Sequence, residues 1–218
     1  MRRRVVLIAL ILLGLATAIG AALHCTRPGR LLAQELLSQL RGKGRERAQR
    51  RFRDRLFHLG LANATLDLNL RIEKAARRLT LRHGGTVLAT FPIALGAQPQ
   101  GQHERDGDGR TPEGSWQVCY KKEESRYHLF IGLSYPGPDD GARALAAGVI
   151  TASEAEAILD AALRGERPPW STALGGPFGL HGFGTGDDWT VGTVALENPH
   201  IEELFWNLPM GTPVTVVP

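Results

Sequence analysis

A lone histidine, His181, stands between Leu180 and Gly182, and a short loop later the chain reads Thr190-Val191-Gly192-Thr193 before entering the apolar run Val194-Ala195-Leu196. A histidine beside a glycine, then a loop, then a Gly-x turn leading into a strand, is a layout for a base facing a nucleophile, with Thr193 at the nucleophile's place. Taken by itself, His181 also reads as a satisfied core histidine. Asp108 and Arg110 sit in a loop rich in Gly and Asp, where lining a cleft and bracing the loop by an internal ion pair carry equal weight. Trp189 offers a face for stacking on a ligand, although packing beneath the site loop is the better reading. Cys119, between Val118 and Tyr120 in an apparent strand, reads as a small buried hydrophobe rather than a relocated nucleophile. His103, His128 and His200 do not share metal-ligand spacing, so no metal site and no cofactor are expected.

The elements that must position these residues follow from periodicity. Alternating stretches predict strands at 66–72, 78–82 and 86–95, with His83-Gly84-Gly85 as a turn, and at 115–121 and 128–135, where Tyr127 and Tyr135 alternate between core and surface. Between Pro136 and Pro177 the pattern becomes helical. Thr151-x-x-Glu154 forms a capping box ahead of Ala155, Ile158, Leu159, Ala162 and Leu163, and Gly165 closes that helix. Strands resume at 178–183 and 191–196. Asn198 is expected to cap a second helix with Pro199 at its first position and Ile201, Leu204, Phe205 and Leu208 as its buried stripe, before a last strand at 212–217. The expected fold is therefore mainly β with two helices, over residues 62–218. With 218 residues and 43% hydrophobic content the chain has material for one such core and something smaller.

The smaller part is N-terminal. Arg2, Arg3 and Arg4 precede an uncharged run from Val5 to Leu23, enough for a membrane-crossing helix of roughly 20 residues. Ala16-Thr17-Ala18 offers a signal-peptidase site, but no polar break precedes His24, so an uncleaved anchor over residues 1–24 is preferred to a cleaved signal. Leu23-His24 lacks the small residues that would precede a lipidated Cys25. Residues 25–61 read as a basic helical linker: Leu31, Leu32, Leu36, Leu37 and Leu40 recur at helical spacing, and Gly42 and Gly44 interrupt before a second helix through Arg55. Its charge suits solvent, anionic lipid or acidic wall polymers, while scarce aromatic interleaving argues against nucleic acid. Two cysteines, Cys25 and Cys119, make no disulfide framework.

The stretches "GDGRTPEGSW" (Gly107 to Trp116), "SRYHLFIGLSYPGPDD" (Ser125 to Asp140), "LHG" (Leu180 to Gly182), "DWTVGTVALEN" (Asp188 to Asn198) and "GTPVTVV" (Gly211 to Val217) together resemble the L,D-transpeptidase, or YkuD-type, catalytic domain. Order and spacing match over nearly all of residues 66–218. The resemblance implies a β-sandwich-like domain acting on peptidoglycan stem peptides in the bacterial envelope; the arginines and apolar run at the N-terminus add that it is held to the inner membrane and faces the periplasm, or is secreted there if the signal is cleaved. Family members attack the bond after the third stem residue, meso-diaminopimelate, release D-alanine and pass the acyl group to an amine of a neighbouring stem. The nucleophile is a cysteine in a Ser/Thr-x-Gly-Cys turn. By the same resemblance His181 is the base, Gly192 belongs to the oxyanion turn, and Gly182, Asp188, Trp189, Thr190 and Arg110 bind substrate.

Two positions depart from that pattern. Val191 replaces a histidine common in the turn, a mild change shared with a "DWTxGC" subgroup. Thr193 stands where the cysteine is expected, and this change is not mild. A thiol is a few per cent thiolate at neutral pH, whereas a threonine hydroxyl needs strong base assistance and carries a methyl group on its reacting carbon. The expectation is a stem-peptide-binding or regulatory domain without turnover, the alternative a threonine-dependent acyltransferase or peptidase.

Overall fold

The computed structural model describes residues 27–218. The expected membrane span Val5 to Leu23, the Ala16-Thr17-Ala18 site and Cys25 lie outside these residues, as do the side chains of the leucine stripe. No helix among the described residues is long and apolar enough to cross a membrane.

Helix α1, Arg27–His58, runs unbroken through Gly42 and Gly44, where an interruption was expected. A helical glycine costs about 1 kcal/mol relative to alanine, a penalty rather than a prohibition, and the neighbours Lys43, Arg45, Glu46 and Arg47 are good helix formers. The chain divides into two compact units, the second being Ala48–Pro218. The last turns of α1 belong to this second unit by packing. Ala48, Phe52 and Leu56 recur at i, i+4 and i+8 and are buried in its core. Arg55 reaches the nearly buried carboxylate of Glu203 at 3.1 Å, and Arg51 donates to the Pro199 carbonyl at 2.8 Å.

Eight strands follow: β1 Leu68–Glu73, β2 Arg78–His83, β3 Thr86–Pro92, β4 Gly114–Ser125, β5 His128–Leu133, β6 Gly179–His181, β7 Val194–Ala195 and β8 Pro213–Val217. They form one connected mixed sheet in the order β3-β2-β1-β8-β4-β5-β6-β7. Strand β4 joins the halves. Its first residues, Gly114 to Gln117, pair with β8, and from Val118 onward it pairs with β5. The sheet's two ends meet as well, because Ala94, just past β3, bridges to Ala195 of β7, and Gly96 bridges to Thr190. That junction sets the chain leaving β3 against the Thr190–Thr193 turn.

Period-two burial explains the strands. Leu68, Leu70 and Ile72 of β1, Leu79 and Leu81 of β2, and Val214 and Val216 of β8 enter one continuous core with Ile201, Leu204, Phe205 and Leu208. Three helices accompany the sheet where two were expected: α2 Pro138–Ala146, α3 Ala152–Leu163 and α4 Asn198–Asn207. The additional one, α2, has Pro138 in its first turn and Asp140 accepting from Gly137 N–H (2.9 Å) and from Trp116 Nε1–H (3.1 Å). In α3 the expected capping box forms, but the apolar stripe is narrower than expected. Ile158 and Ala161 are buried, while Leu159 and Leu163 are exposed. In α4 the N-cap is Glu197 rather than Asn198. Asn198 Oδ1 instead accepts the Phe183 N–H at 3.0 Å, tying the loop after His181 to the start of the helix.

Candidate active site

Strand β6 is only three residues long and buried throughout, and it delivers His181 to the edge of a cleft. The His181 Nδ1 lies 2.8 Å from the Gly182 carbonyl oxygen, and Nε2 lies 2.8 Å from Thr193 Oγ1. A carbonyl oxygen only accepts, so Nδ1 carries the proton and Nε2 receives the Thr193 hydroxyl hydrogen. Burial pushes the imidazole's pKa below its ordinary value, and the bond to Gly182 offsets part of that fall. The ring is therefore neutral near pH 7 and oriented as a base toward Thr193. The group that orients it is the backbone of Gly182, which carries no side-chain signal for sequence reading to find.

Aromatic rings fix the imidazole from its sides. Tyr127 stacks on it with centroids 4.8 Å apart, and Trp189 meets it edge-on at 5.4 Å while donating its Nε1–H to the Gly184 carbonyl. Trp189 thus supports the base rather than lining the cleft.

The turn carrying Thr193 is held from beneath. Thr190 Oγ1 donates to the Thr193 carbonyl at 2.6 Å and accepts the Gly192 N–H at 3.2 Å, so the Thr190 hydroxyl staples the turn. The Gly192 N–H is thereby engaged inside the turn. The N–H groups of Val191 and Thr193 make no hydrogen bond among the described residues, and that of Thr193 is a donor the turn can offer to an oxyanion beside the hydroxyl. Gly192 has φ of +128°, and a Cβ there would lie 2.8 Å from the Arg110 carbonyl oxygen, so conformation and space both require glycine.

Asp188, expected to bind substrate, turns away from the cleft. Its carboxylate pairs with the Arg77 guanidinium (Nη2 to Oδ2, 2.6 Å) and accepts the Leu95 N–H at 2.8 Å. Leu95 in turn accepts the Thr190 N–H, and Ala97 donates to the Thr190 carbonyl, so Asp188 secures the seam on which the turn rests. Gly182 donates its N–H to the Tyr127 carbonyl, and a Cβ there would meet Asn198 Oδ1 at 2.4 Å, so close packing requires glycine at this position.

Above the turn lies a cleft of about 500 Å³, lined among others by His181, Gly192, Thr193, Tyr127, Phe130 and Arg110. Arg110 is the one expected substrate-binding residue that the structure places on the cleft wall. Asp108, weighed beside it, braces the loop: it accepts N–H groups of Glu104 and Arg110 and pairs with His103 Nδ1 at 2.7 Å. Burial raises its carboxyl, but the backbone bonds from Glu104 and Arg110, together with the neighbouring His103 ring, outweigh that and hold it below the usual range. Cys119 does not line the cleft. It is the extra residue of a bulge in β4, and burial raises its thiol to about 11. Among the described residues no cluster of His, Cys, Asp or Glu could hold a metal ion.

Residues 69–216 match the family model of the L,D-transpeptidase catalytic domain. The chain belongs to this family. A comparison with curated protein sequences gives no match. Solved structures similar to this L,D-transpeptidase domain include residues 123–326 of the L,D-transpeptidase from Xylanimonas cellulosilytica, at 15% identity and a TM-score of 0.41, with 71% of this chain and 62% of that one covered. L,D-transpeptidase 1 of Mycobacterium tuberculosis is 14% identical, with a TM-score of 0.41 and 70% and 62% coverage. The helical cell shape determining protein of Campylobacter jejuni is 17% identical, with a TM-score of 0.46 and 70% and 48% coverage. The chain thus spans about three fifths of the length of the first two and about half of the third.

Proposed function

We propose that this L,D-transpeptidase-family protein binds peptidoglycan stem peptides in the cell envelope without turning them over, Thr193 standing at the family's cysteine position. The observation that carries this reading is the support given to His181: its Nδ1–H meets a carbonyl dipole and not a carboxylate. A cysteine site starts from a partly ionised thiol, so its histidine need not pull a proton from an alcohol. A threonine site needs an imidazolium stabilised as it forms, and His181 is buried where that charge is disfavoured. Depriving a serine-type triad of its working carboxylate lowers kcat by about 10⁴. Binding is a separate matter, because recognition rests on the cleft walls.

The 2.8 Å contact between His181 Nε2 and Thr193 Oγ1 favours a second reading, a threonine-dependent acyltransferase or peptidase. Wild type, Thr193→Cys and Thr193→Ala, assayed together on defined muropeptides by mass spectrometry, separate the two. The expected result is stem-peptide binding by wild type with no D-alanine release. Turnover by wild type that vanishes in Thr193→Ala overturns the non-catalytic reading.

The proposed organisation is an anchor or signal at 1–24, a basic linker at 25–61 and the L,D-transpeptidase domain at 62–218. The arginines before Val5 retain the N-terminus in the cytoplasm and send the domain to the periplasmic side of the inner membrane. A reporter fused after Pro218 that is active only in the cytoplasm contradicts this placement.

A further inference from the structure

The cleft is charged asymmetrically. Its walls carry Arg110, Lys122, Arg126 and Arg167 against one carboxylate, Asp106. Arg110 is engaged, donating to the Gln102 carbonyl and lying 3.5 Å from Glu104. The other three cations form no hydrogen bond or ion pair among the described residues, and the two arginines of the three rest against aromatic rings. The Arg167 guanidinium lies over the rings of Trp170 at 4.8 Å and Tyr120 at 5.7 Å, and that of Arg126 over Tyr127 at 5.6 Å. Ring faces hold a guanidinium plane without consuming its N–H donors, which stay available to an anion.

Strand register locates this cluster relative to Thr193. Lys122 of β4 pairs with Phe130 of β5, and Phe130 pairs with His181 of β6, so the three side chains share one row on one face. Neighbouring strands are about 4.8 Å apart, placing Lys122 about 10 Å from the histidine that touches Thr193. In a stem peptide, the carbonyl that would face Thr193 belongs to the third residue. Seven bonds separate it from the α-carboxylate of the preceding γ-linked D-glutamate, about 8 to 9 Å when extended.

We propose that Lys122, Arg126 and Arg167 form an anion subsite that reads the free α-carboxylate of the second stem residue. This rests on the stem-peptide reading above and adds a selectivity: stems whose carboxylate is amidated bind less well. Replacing a carboxylate by a carboxamide keeps size and shape while removing the charge, so discrimination reports on the cations themselves.

The test measures binding of two disaccharide-tetrapeptides, identical except for a free or amidated D-glutamate α-carboxyl, to wild type and to Lys122→Gln/Arg126→Gln/Arg167→Gln. All three residues are exposed, and thermal melting verifies that the variant is folded; the double variant Lys122→Gln/Arg126→Gln serves if the triple variant is not. Wild type is expected to bind the free form about tenfold more tightly, with a preference that declines as salt rises. The variant is expected to bind both forms equally. Equal binding of the two forms by wild type overturns the anion subsite and leaves the stem-peptide reading standing. Absence of binding to either form by folded wild type overturns both. A preference retained in the folded variant also overturns the subsite, by placing the discrimination elsewhere.

Discussion

Asp188→Ala tests whether this carboxylate acts on a ligand or on the fold. Its partners are the Leu95 N–H at 2.8 Å and the Arg77 guanidinium, and Leu95 is fully buried. Losing the acceptor of a buried N–H costs about 1–3 kcal/mol. The ion pair adds at most about 1 kcal/mol, because Arg77 is 38% exposed and solvent screens it. A loss near 3 kcal/mol lowers Tm by about 9 °C in a domain of this size. Asp188→Asn retains an oxygen for Leu95 and loses only the charge, so a fall of about 3 °C is expected. Thermal unfolding followed by circular dichroism reads both variants, and stem-peptide binding measured well below Tm gives the second axis. The reasoning fails if Asp188→Ala melts within about 2 °C of wild type while binding is lost, since that pattern belongs to a residue facing the ligand.

Three further outcomes are expected. Because burial lowers the folded-state pKa of His181, the unfolded chain binds its proton first; this histidine's contribution to stability is full above the unfolded value near 6.5 and is lost as pH falls through the folded value. The acid-side drop in Tm beginning below pH 6.5 should therefore be smaller in His181→Gln, and an NMR titration of the ring should show a midpoint below 6.5. With its thiol raised to about 11, Cys119 should react with iodoacetamide at pH 8 on the order of 100-fold more slowly in the folded protein than in denaturant. Phe52→Ala should cost about 3 kcal/mol, measured by urea unfolding, because Phe52 is 6% exposed within the domain core although it lies on the helix that precedes the first strand.

How much of this was legible in the sequence depended on the range over which each signal acts. The alternation of Leu68, Leu70 and Ile72 and the capping box of Thr151 and Glu154 are local, and the structure has both. Helix α2 went unread because nine residues with few apolar positions draw no 3.6-residue stripe; its signals were Pro138 at the start and two aspartates in the first turn. The neighbourhood of His181 and Thr193 was legible from motif order, but the orientation of each polar residue in it was not. Asp188 faces Arg77, which lies 111 positions earlier, and Lys122 and Arg167 reach the cleft from separate segments. Nothing in the local spelling of Asp188-Trp189-Thr190 distinguishes a carboxylate facing the ligand from one facing the seam.

The same seam bears on what the closeness of His181 and Thr193 means. The turn at 190–193 is shaped by the Thr190 hydroxyl, by Asp188 through Leu95, and by a glycine at 192 that fits against Arg110. None of these contacts uses the side chain at 193. His181 is placed by Gly182, Tyr127 and Trp189, and these contacts do not use it either. A thiol or a hydroxyl at 193 would therefore leave the framework equally undisturbed, and a hydrogen bond to Nε2 is the expected resting place of any small donor there. The 2.8 Å distance follows from where the scaffold presents position 193, whereas reactivity depends on the proton affinity of His181 and the acidity of what it faces. Those two quantities favour a thiol, and this is why geometry that a catalytic pair would require is compatible here with a site that only binds.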